Sequence, residues 1–589
     1  MKTKFKQAGR MLTVCIMMLL WRIPAMAQPV AKHRLIVITD IGNEPDDFMS
    51  MVRLMLYTNE IDIEGLIAST SIHQSKKVSP ELIEKVIHAY GKVQPNLLKH
   101  EPGFPPAQKL AGLVKKGLPL YGMEGVGKGK DSEGSEWIIR MLEKADNRPL
   151  WVTVWGGPNV LAQTLWKIRE TKSEGEAKRL INKLRVYTIS DQDNSGPWIR
   201  KNFPDLFYIA SPGSYDAATW SAILHVFPGA NNEVISNDWL SHNIQEGHGP
   251  LGTIYPDVSF GMEGDTPSWL SLIPNGMNEP EHPNWGGWGG RYEFYKPPFD
   301  PKKKWIVPLE EETRPFWTNA DDEYTPWMKG KWGRAMVKDT GTYKDNHVTI
   351  WRWREDFQND FAARMMWCTK DYKSSNHPPV AKLAMPEKLT VKSGEIFSLD
   401  GSSSNDPDGD ALSFLWSQYQ EAGTLNEKIA ILPAQNMSVI PEVRAPQVDS
   451  PQTAHFILKV TDKGTPSLIR YKRVIVTIVP SQREEVHTAT ADYFVGKWSV
   501  QFKGLGQGDT KMIFALEKKS GRITGIIQDP SGKEISKVTD AELKENEIIL
   551  YYEMRGYQIK LNLKKKDNDQ VTGLMNGMYD VEGERVKTK

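Results

Sequence analysis

A run of four apolar residues that ends in an acid and passes straight into an amphipathic helix limits what this chain can become. Leu35, Ile36, Val37 and Ile38 lead into Thr39 and Asp40, the pattern of a strand buried on both faces. Beyond the loop Ile41–Pro45, Phe48, Met51, Val52, Met55 and Leu56 recur at helical spacing and make one apolar face. A buried strand that runs into a helix opens a parallel α/β sheet, which binds ligands beyond the C-terminal ends of its strands. The pattern continues to about Trp367. Strand-like runs at Glu64–Ala68, Leu150–Val154, Leu184–Ile189 and Leu206–Ile209 alternate with helical stretches at Ser79–Tyr90 and Val160–Arg169.

With 589 residues the chain is too long for one core. Asn376-His377-Pro378-Pro379-Val380 marks a boundary, because consecutive prolines continue neither a helix nor a central strand. Short alternating strands follow, with the loop Asp406-Pro407-Asp408-Gly409-Asp410, Leu412–Trp416 and a long strand at Arg473–Val479. This part resembles immunoglobulin-like modules of the PKD and cadherin sort, which implies a β-sandwich. After the polar stretch Ser481–Glu485, segments such as Lys497–Phe502, Lys511–Leu516, Arg522–Gln528, Glu547–Met554 and Tyr557–Leu563 are joined by turn-rich loops. They predict a small meander or lipocalin-like barrel. The expected domains are α/β over 30–375, sandwich over 376–482 and all-β over 490–589.

Formal charge is balanced at +1, so nothing proposes a nucleic acid polymer as partner. Residues 1–27 carry Lys2, Lys4, Lys6 and Arg10, then an apolar run, then Ala25-Met26-Ala27. These predict a signal peptide cleaved after Ala27 and an exported protein, periplasmic or extracellular. Beyond that segment only Cys368 remains, so no internal disulfide forms. No later run is long enough for a transmembrane anchor, and nothing in the residues specifies an oligomeric interface.

The chemistry gathers where the first strand stops. Asp40, Glu44, Asp46 and Asp47 place four carboxylates in eight residues, with Asp46 and Asp47 opening a helix whose N-terminus favours acids. So dense a cluster predicts a cation, and hard, flexible oxygen ligands favour Ca²⁺ over Mg²⁺. DIGNEPDD before an apolar helix resembles the amino-terminal DxGxDD signature of inosine-uridine type nucleoside hydrolases, with two extra residues between Gly42 and the aspartate pair. It is most similar to the secreted nucleoside-hydrolase-like proteins named for cellulose binding.

The resemblance extends to other segments. Trp155-Gly156-Gly157-Pro158-Asn159 is similar to a segment whose strand-end carbonyl joins the metal in those hydrolases, which implies that role for Gly156. Gly261-Met262-Glu263-Gly264-Asp265 puts Asp265 in the place of the late aspartate that closes the metal site. The implied ligands are thus Asp40, Asp47, Asp265 and the Gly156 carbonyl, and the acidic cluster adds Glu44 as a further ligand. Asp40 would be the general base, and Asp46 would accept a hydrogen bond from the sugar. Asp191, Gln192, Asp193 and Asn194, in the loop after Leu184–Ile189, suit a polyhydroxylated ligand. Trp198, Trp285 and Trp288 offer flat faces for sugar rings, and Glu263 adds an acceptor. For protonating the leaving group, His248 is the first histidine candidate, with His242 and His73 behind it.

The implied activity is a secreted Ca²⁺-dependent hydrolase of N- or O-glycosyl bonds acting on a carbohydrate or glycoside. The alternative is a non-catalytic protein that binds cellulose or another glycan on the same fold.

Overall fold

The computed structural model describes residues 31–211, 213–227, 230–258, 261–302, 310–329, 336–338, 341–432, 438–481, 488–505, 508–519, 522–554 and 557–587. The signal-peptide expectation lies outside them. All that follows concerns His33–Lys589, a single unit. Among the described residues no helix is long and apolar enough to cross a membrane.

Its first part is an α/β sheet. In chain order the elements are β1 (Arg34–Thr39), α1 (Asp46–Met55), β2 (Asp62–Ala68), α2 (Pro80–His100), α3 (Ala107–Ala111) and β3 (Val114–Lys116). There follow α4 (Glu133–Glu143), β4 (Leu150–Val154), α5 (Asn159–Thr171), α6 (Glu174–Ile181), β5 (Leu184–Thr188), α7 (Ser195–Asn202) and β6 (Phe207–Ala210). Strands β7 (Tyr292–Tyr295) and β8 (Phe316–Asn319) complete the sheet, in the order β3-β2-β1-β4-β5-β6-β8-β7. All neighbours are parallel except β7, which runs antiparallel to β8.

The strand period of two decides which side chains meet which layer. Leu35 and Val37 point into the layer of α1 and α2, whereas Ile36 and Ile38 point into the layer of α4 to α7. All four are fully buried, as the unbroken apolar run predicts. Each such side chain contributes about 1.5–3 kcal/mol.

The strand order matters for function. From β1 the chain builds outward through β2 to β3, then returns to lay β4 on the other side of β1 and builds outward again. The order therefore reverses between β1 and β4, and a crevice opens there at the C-terminal strand ends.

The second part is a sandwich. One sheet contains Lys388–Lys392, Ile469–Val479, Gln452–Thr461 and Ser413–Gln418; the other contains Ile396–Ser398, Glu442–Arg444 and Ile431–Leu432. It shares a core with the α/β part, since Tyr419, Ile457, Ile469 and Tyr471 pack into the layer of α1 and α2. Polar ties reinforce the junction. The Arg473 guanidinium donates to the carbonyls of Met277 at 3.0 Å and Gly286 at 2.9 Å, and Tyr419 Oη donates to Asp322 Oδ2 at 2.6 Å.

The third part resolves the choice between meander and barrel. Eight antiparallel strands from Gly496 to Arg585, each paired with its chain neighbour, close on themselves as the last pairs with the first. Closure removes the exposed edges of an open sheet. The barrel meets the sandwich through Arg444–Glu542 at 2.7 Å and Lys428–Glu553 at 3.4 Å.

Candidate functional site

The crevice between β1 and β4 holds the acids. Asp40 is the first residue beyond β1 and only 3% exposed. Its carboxylate lies on the backbone of Gly156, just past β4, where a Cβ would stand 2.5 Å from Asp40 Oδ1. Only glycine permits that approach. Thr39 Oγ1 accepts the Ile41 N–H at 3.0 Å and donates to Asp47 Oδ1, so one hydroxyl ties the strand end to the helix start. The two extra loop residues are accommodated outward: Gly42 and Asn43 are exposed, while Asp46 and Asp47 are buried in the first turn of α1.

Asp265 reaches the same place from a turn more than two hundred residues away. That turn is fixed by Ser268 Oγ donating to the Asp265 carbonyl at 2.7 Å and by a 2.8 Å bond between Ser50 and Thr266 hydroxyls. One carboxylate oxygen each of Asp46, Asp47 and Asp265 lies within 4.8 Å of the others. Gly264 again permits the contact, since a Cβ there would meet Asp46 Oδ2 at 2.7 Å.

These acids line a cavity of about 200 Å³ with Glu44, His73, Ser190, Asp191, Gln192, Tyr215, Asp216 and Trp220. Among the described residues, no lysine or arginine is on its wall. Burial raises the carboxyl of Asp40, with Glu44 adding to the rise and the Ser71 hydroxyl opposing it. Asp46 is pushed up to about 7 by burial and by the charges of Asp40 and Glu44. Burial and the neighbouring aspartates hold Asp47 and Asp265 well above the carboxylate range. Asp265 Oδ2 is buried and has no hydrogen-bond partner among the described residues. Hard oxygens converging on one point, an orphaned carboxylate oxygen and the lack of any lysine or arginine among the described lining residues together fit a divalent cation.

The grouping differs from the expected ligand set in two respects, at Asp40 and at Glu44. The oxygens that converge are those of Asp46, Asp47 and Asp265, with Asp40 beside them against Gly156, because both aspartates of the pair project from the first turn of α1. Glu44 stays at the rim, with His73 Nδ1 at 3.7 Å.

Of the loop after β5, Asp191 and Gln192 line the cavity, though both are engaged. Arg200 holds the Asp191 carboxylate through two bonds of 2.9 and 2.6 Å, and Gln192 Nε2 donates to the Trp155 carbonyl at 2.6 Å. The other expected contacts lie elsewhere. Asp193 is buried beside Gly157, accepts the Ser195 N–H at 2.7 Å and starts α7. Asn194 accepts the Met123 N–H at 2.9 Å. Trp198 packs on the far face of the sheet, edge-on to Phe203 at 5.8 Å.

Glu263 is buried in an ion pair with Arg53 and accepts from Tyr255 Oη at 2.7 Å. Trp285 stacks on His282 at 4.0 Å, and Trp288 is fully buried with Nε1 donating to Tyr471 Oη at 3.3 Å, so both belong to the junction with the sandwich. His248 is buried at the start of Gly249–Thr253 with Nε2 3.4 Å from the His242 carbonyl, and burial lowers its pKa. None of these seven lines the cavity.

Tyr215, Asp216 and Trp220, which follow β6, were missed by the sequence reading. Trp220 lies flat against Gly261, where a Cβ would strike its ring. The signal was positional: every loop after a parallel strand opens on the same edge, so the segment after Phe207–Ala210 was a candidate whatever its residues.

Comparison with known proteins agrees with this architecture. The model of the family described as cellulose-binding Sde182, nucleoside hydrolase-like domain, matches residues 34–292, and that of the cellulose-binding protein Sde0182 C-terminal domain matches residues 396–478. Among solved structures, a nucleoside hydrolase-related hypothetical protein from Saccharophagus degradans, described as associated with carbohydrate metabolism, is 33% identical. The match covers 76% of this chain and 100% of that one, with a TM-score of 0.63. A redesigned β-barrel matches at 13% identity over 18% of this chain and 100% of its own, with a TM-score of 0.15. The PKD domain of the KIAA 1837 protein matches at 24% over 19% and 97%, with a TM-score of 0.14. No curated protein matches the sequence. With a relative one-third identical over that relative's whole length and two family models falling on its first two parts, the chain belongs to the cellulose-binding Sde182 family with a nucleoside hydrolase-like domain.

Proposed function

We propose that this protein hydrolyses glycosyl bonds of a carbohydrate or glycoside in a Ca²⁺-dependent reaction. The observation that carries the reading is the convergence of Asp46, Asp47 and Asp265 beside Asp40 in a cavity lined, among the described residues, by no lysine or arginine. The family's name for cellulose binding and the relative's association with carbohydrate metabolism support a sugar as the ligand.

Asp46, Asp47 and Asp265 would hold the ion, with Glu44 at the rim. When bound, Ca²⁺ supplies positive charge that makes water more acidic and fixes neighbouring hydroxyls. The chain's own residues do the rest. Asp40, held against Gly156, takes a proton from the attacking water as its oxygen bonds to the anomeric carbon. The bond to the leaving group breaks, and its electron pair departs with that group. The surrounding carboxylates stabilise the positive charge that develops on the sugar. His73, not His248, is the histidine the cavity presents for returning a proton. Trp220, backed by Gly261, offers an indole face to the sugar.

The test is release of reducing sugar from nucleosides, aryl glycosides and oligosaccharides, with Ca²⁺ and with chelator, beside Asp40→Asn. Turnover that chelator abolishes and that Asp40→Asn lowers by about 10²–10⁴-fold is expected. If no substrate turns over while Ca²⁺ binds and sugars raise the melting temperature, the protein binds glycans without cleaving them and the role given to Asp40 fails.

A further inference from the structure

The turn that carries Asp265 is fastened to α1 by a polar stripe, and the far end of that stripe is a pair of charges with no part in the reaction itself. Asp46, Ser50 and Arg53 recur at i, i+4 and i+7, which puts them on one face of the helix over about 10 Å of its axis. Each meets the same turn. Asp46 Oδ2 lies 2.7 Å from where a Cβ of Gly264 would stand, the Ser50 and Thr266 hydroxyls bond at 2.8 Å, and Arg53 Nη1 donates to Glu263 Oε2. We propose that Arg53 and Glu263 are positioning residues for the cation site, holding Asp265 against Asp46 and Asp47 before the ion arrives. The inference rests on the Ca²⁺ reading of that site.

Two observations separate this pair from an ordinary buried salt bridge, and the first is the backbone. Glu263 has a φ of +44°, and among the described residues the only other non-glycine in the left-handed region is Asn576. Asparagine tolerates that region, whereas glutamate enters it at a cost. Glycine would relieve the strain but lose the carboxylate. That carboxylate is held from two sides, by Arg53 and by Tyr255 Oη, which donates to Oε1 at 2.7 Å. The Thr266 N–H bonds the Glu263 carbonyl at 3.2 Å and the Ser268 N–H bonds the Asp265 carbonyl at 3.1 Å. Fixing residue 263 therefore fixes the direction in which Asp265 leaves the turn.

The second is the repulsion that the pair opposes. Before an ion binds, the carboxylates of Asp46, Asp47 and Asp265, within 4.8 Å of one another, push the turn away from α1 when charged. Arg53 is rigid against that push. It is buried, its Nη2 donates to the Phe357 carbonyl at 2.9 Å and to Gln358 Oε1 at 2.6 Å, and its guanidinium lies 4.3 Å from the centre of the Phe361 ring. One side chain thus ties α1 both to the Asp265 turn and to the helix Arg354–Met366. Ligands already gathered bind an ion more tightly than ligands that the ion must gather.

The test is calorimetric titration of the full chain with CaCl₂. Arg53→Met combined with Glu263→Gln removes both charges at similar side-chain length, a change that buried pairs often survive. It should bind Ca²⁺ about 10–100-fold more weakly than the parent, the range for residues that orient metal ligands. Glu263→Gln alone, a smaller change, should weaken binding about fivefold or more. The control is Arg364→Met combined with Glu60→Gln, which removes a buried pair between the same helix and the chain beyond the end of α1. It should bind within about twofold of the parent, because it leaves the turn untouched. Hydrogen exchange gives the second readout: in chelator, residues 261–268 should exchange faster in the Arg53/Glu263 double variant than in the parent, and in saturating Ca²⁺ the difference should close. Parent-like affinity in both Glu263 variants, an equal loss in the control, or unchanged exchange of the turn in chelator would overturn the assignment. A parent that binds no Ca²⁺ would end the cation reading and this inference together, whereas a parent that binds beside variants that bind equally well ends the inference alone.

Discussion

Gly156→Ala puts the placement of Asp40 to a direct physical test. The new methyl would stand 2.5 Å from Asp40 Oδ1, 2.7 Å from Cγ and 2.8 Å from Cβ, whereas ordinary contact begins at 3.4 Å. Roughly 0.9 Å of movement is required, and Asp40 has little freedom to give it. It is anchored at the end of a fully buried strand, and its carbonyl accepts from Gln74 Nε2 at 3.0 Å. Overpacking of this kind costs about 1–3 kcal/mol, and displacing a reacting group by about 1 Å can cost some 10²-fold in rate. Urea unfolding followed by tryptophan fluorescence reads the first effect, and Ca²⁺-dependent turnover reads the second. Gly175→Ala is the control, because in α6 a Cβ there meets nothing within 4 Å. It should stabilise by about 0.5–1 kcal/mol through helix propensity alone. A Gly156→Ala protein with parent stability and parent turnover would refute the claim that Asp40 rests on that glycine.

Two further outcomes follow from the junction between the α/β part and the sandwich. Burial, with Arg473 and His282 adding to it, lowers His455 to about 3 from 6.5. Below pH 6.5 the unfolded chain therefore takes a proton that the folded one refuses, and stability is lost as pH falls toward 3. At pH 5 the loss is about 2 kcal/mol relative to pH 7.5, and His455→Gln should remove that share of the acid sensitivity in urea titrations. An unchanged pH slope would contradict it. Arg473→Met should destabilise by about 2–5 kcal/mol, since it strands the buried carbonyls of Met277 and Gly286. It should also speed proteolysis between those residues, and a change under 1 kcal/mol would show that the contacts carry little.

Much of the framework was legible because it is local. The run Leu35–Ile38 reads as a two-sided buried strand, and Leu150–Val154, Arg522–Gln528 and Glu547–Met554 coincide with their strands. Three barrel strands were missed: Glu534–Lys544, Gln570–Met575 and Tyr579–Arg585. In a small barrel only inward positions need be apolar, and in these strands the alternation is thinned by Lys, Glu and Gly. The tryptophans misled for a related reason. NWGGWGG reads as a displayed pair of rings, yet Trp285 and Trp288 are spent on the junction with the sandwich, a surface that exists only once both parts have folded.

The sequence by itself determined the strand, the helix and the place where their acids lie, because hydrophobic period and helix-start chemistry act over a few residues. Which acids meet was decided only in three dimensions. Asp265 joins Asp46 and Asp47 through a turn held to α1 by Ser50 and Thr266, Asp40 rests on Gly156 because β4 pairs with β1, and Trp220 lies on Gly261. The same holds for His248, Glu263 and Asp193. Their residue types suggested chemistry, and their burial in helix starts and ion pairs assigned them to structure. Long-range packing chooses among chemically equivalent side chains, and no local pattern encodes that choice.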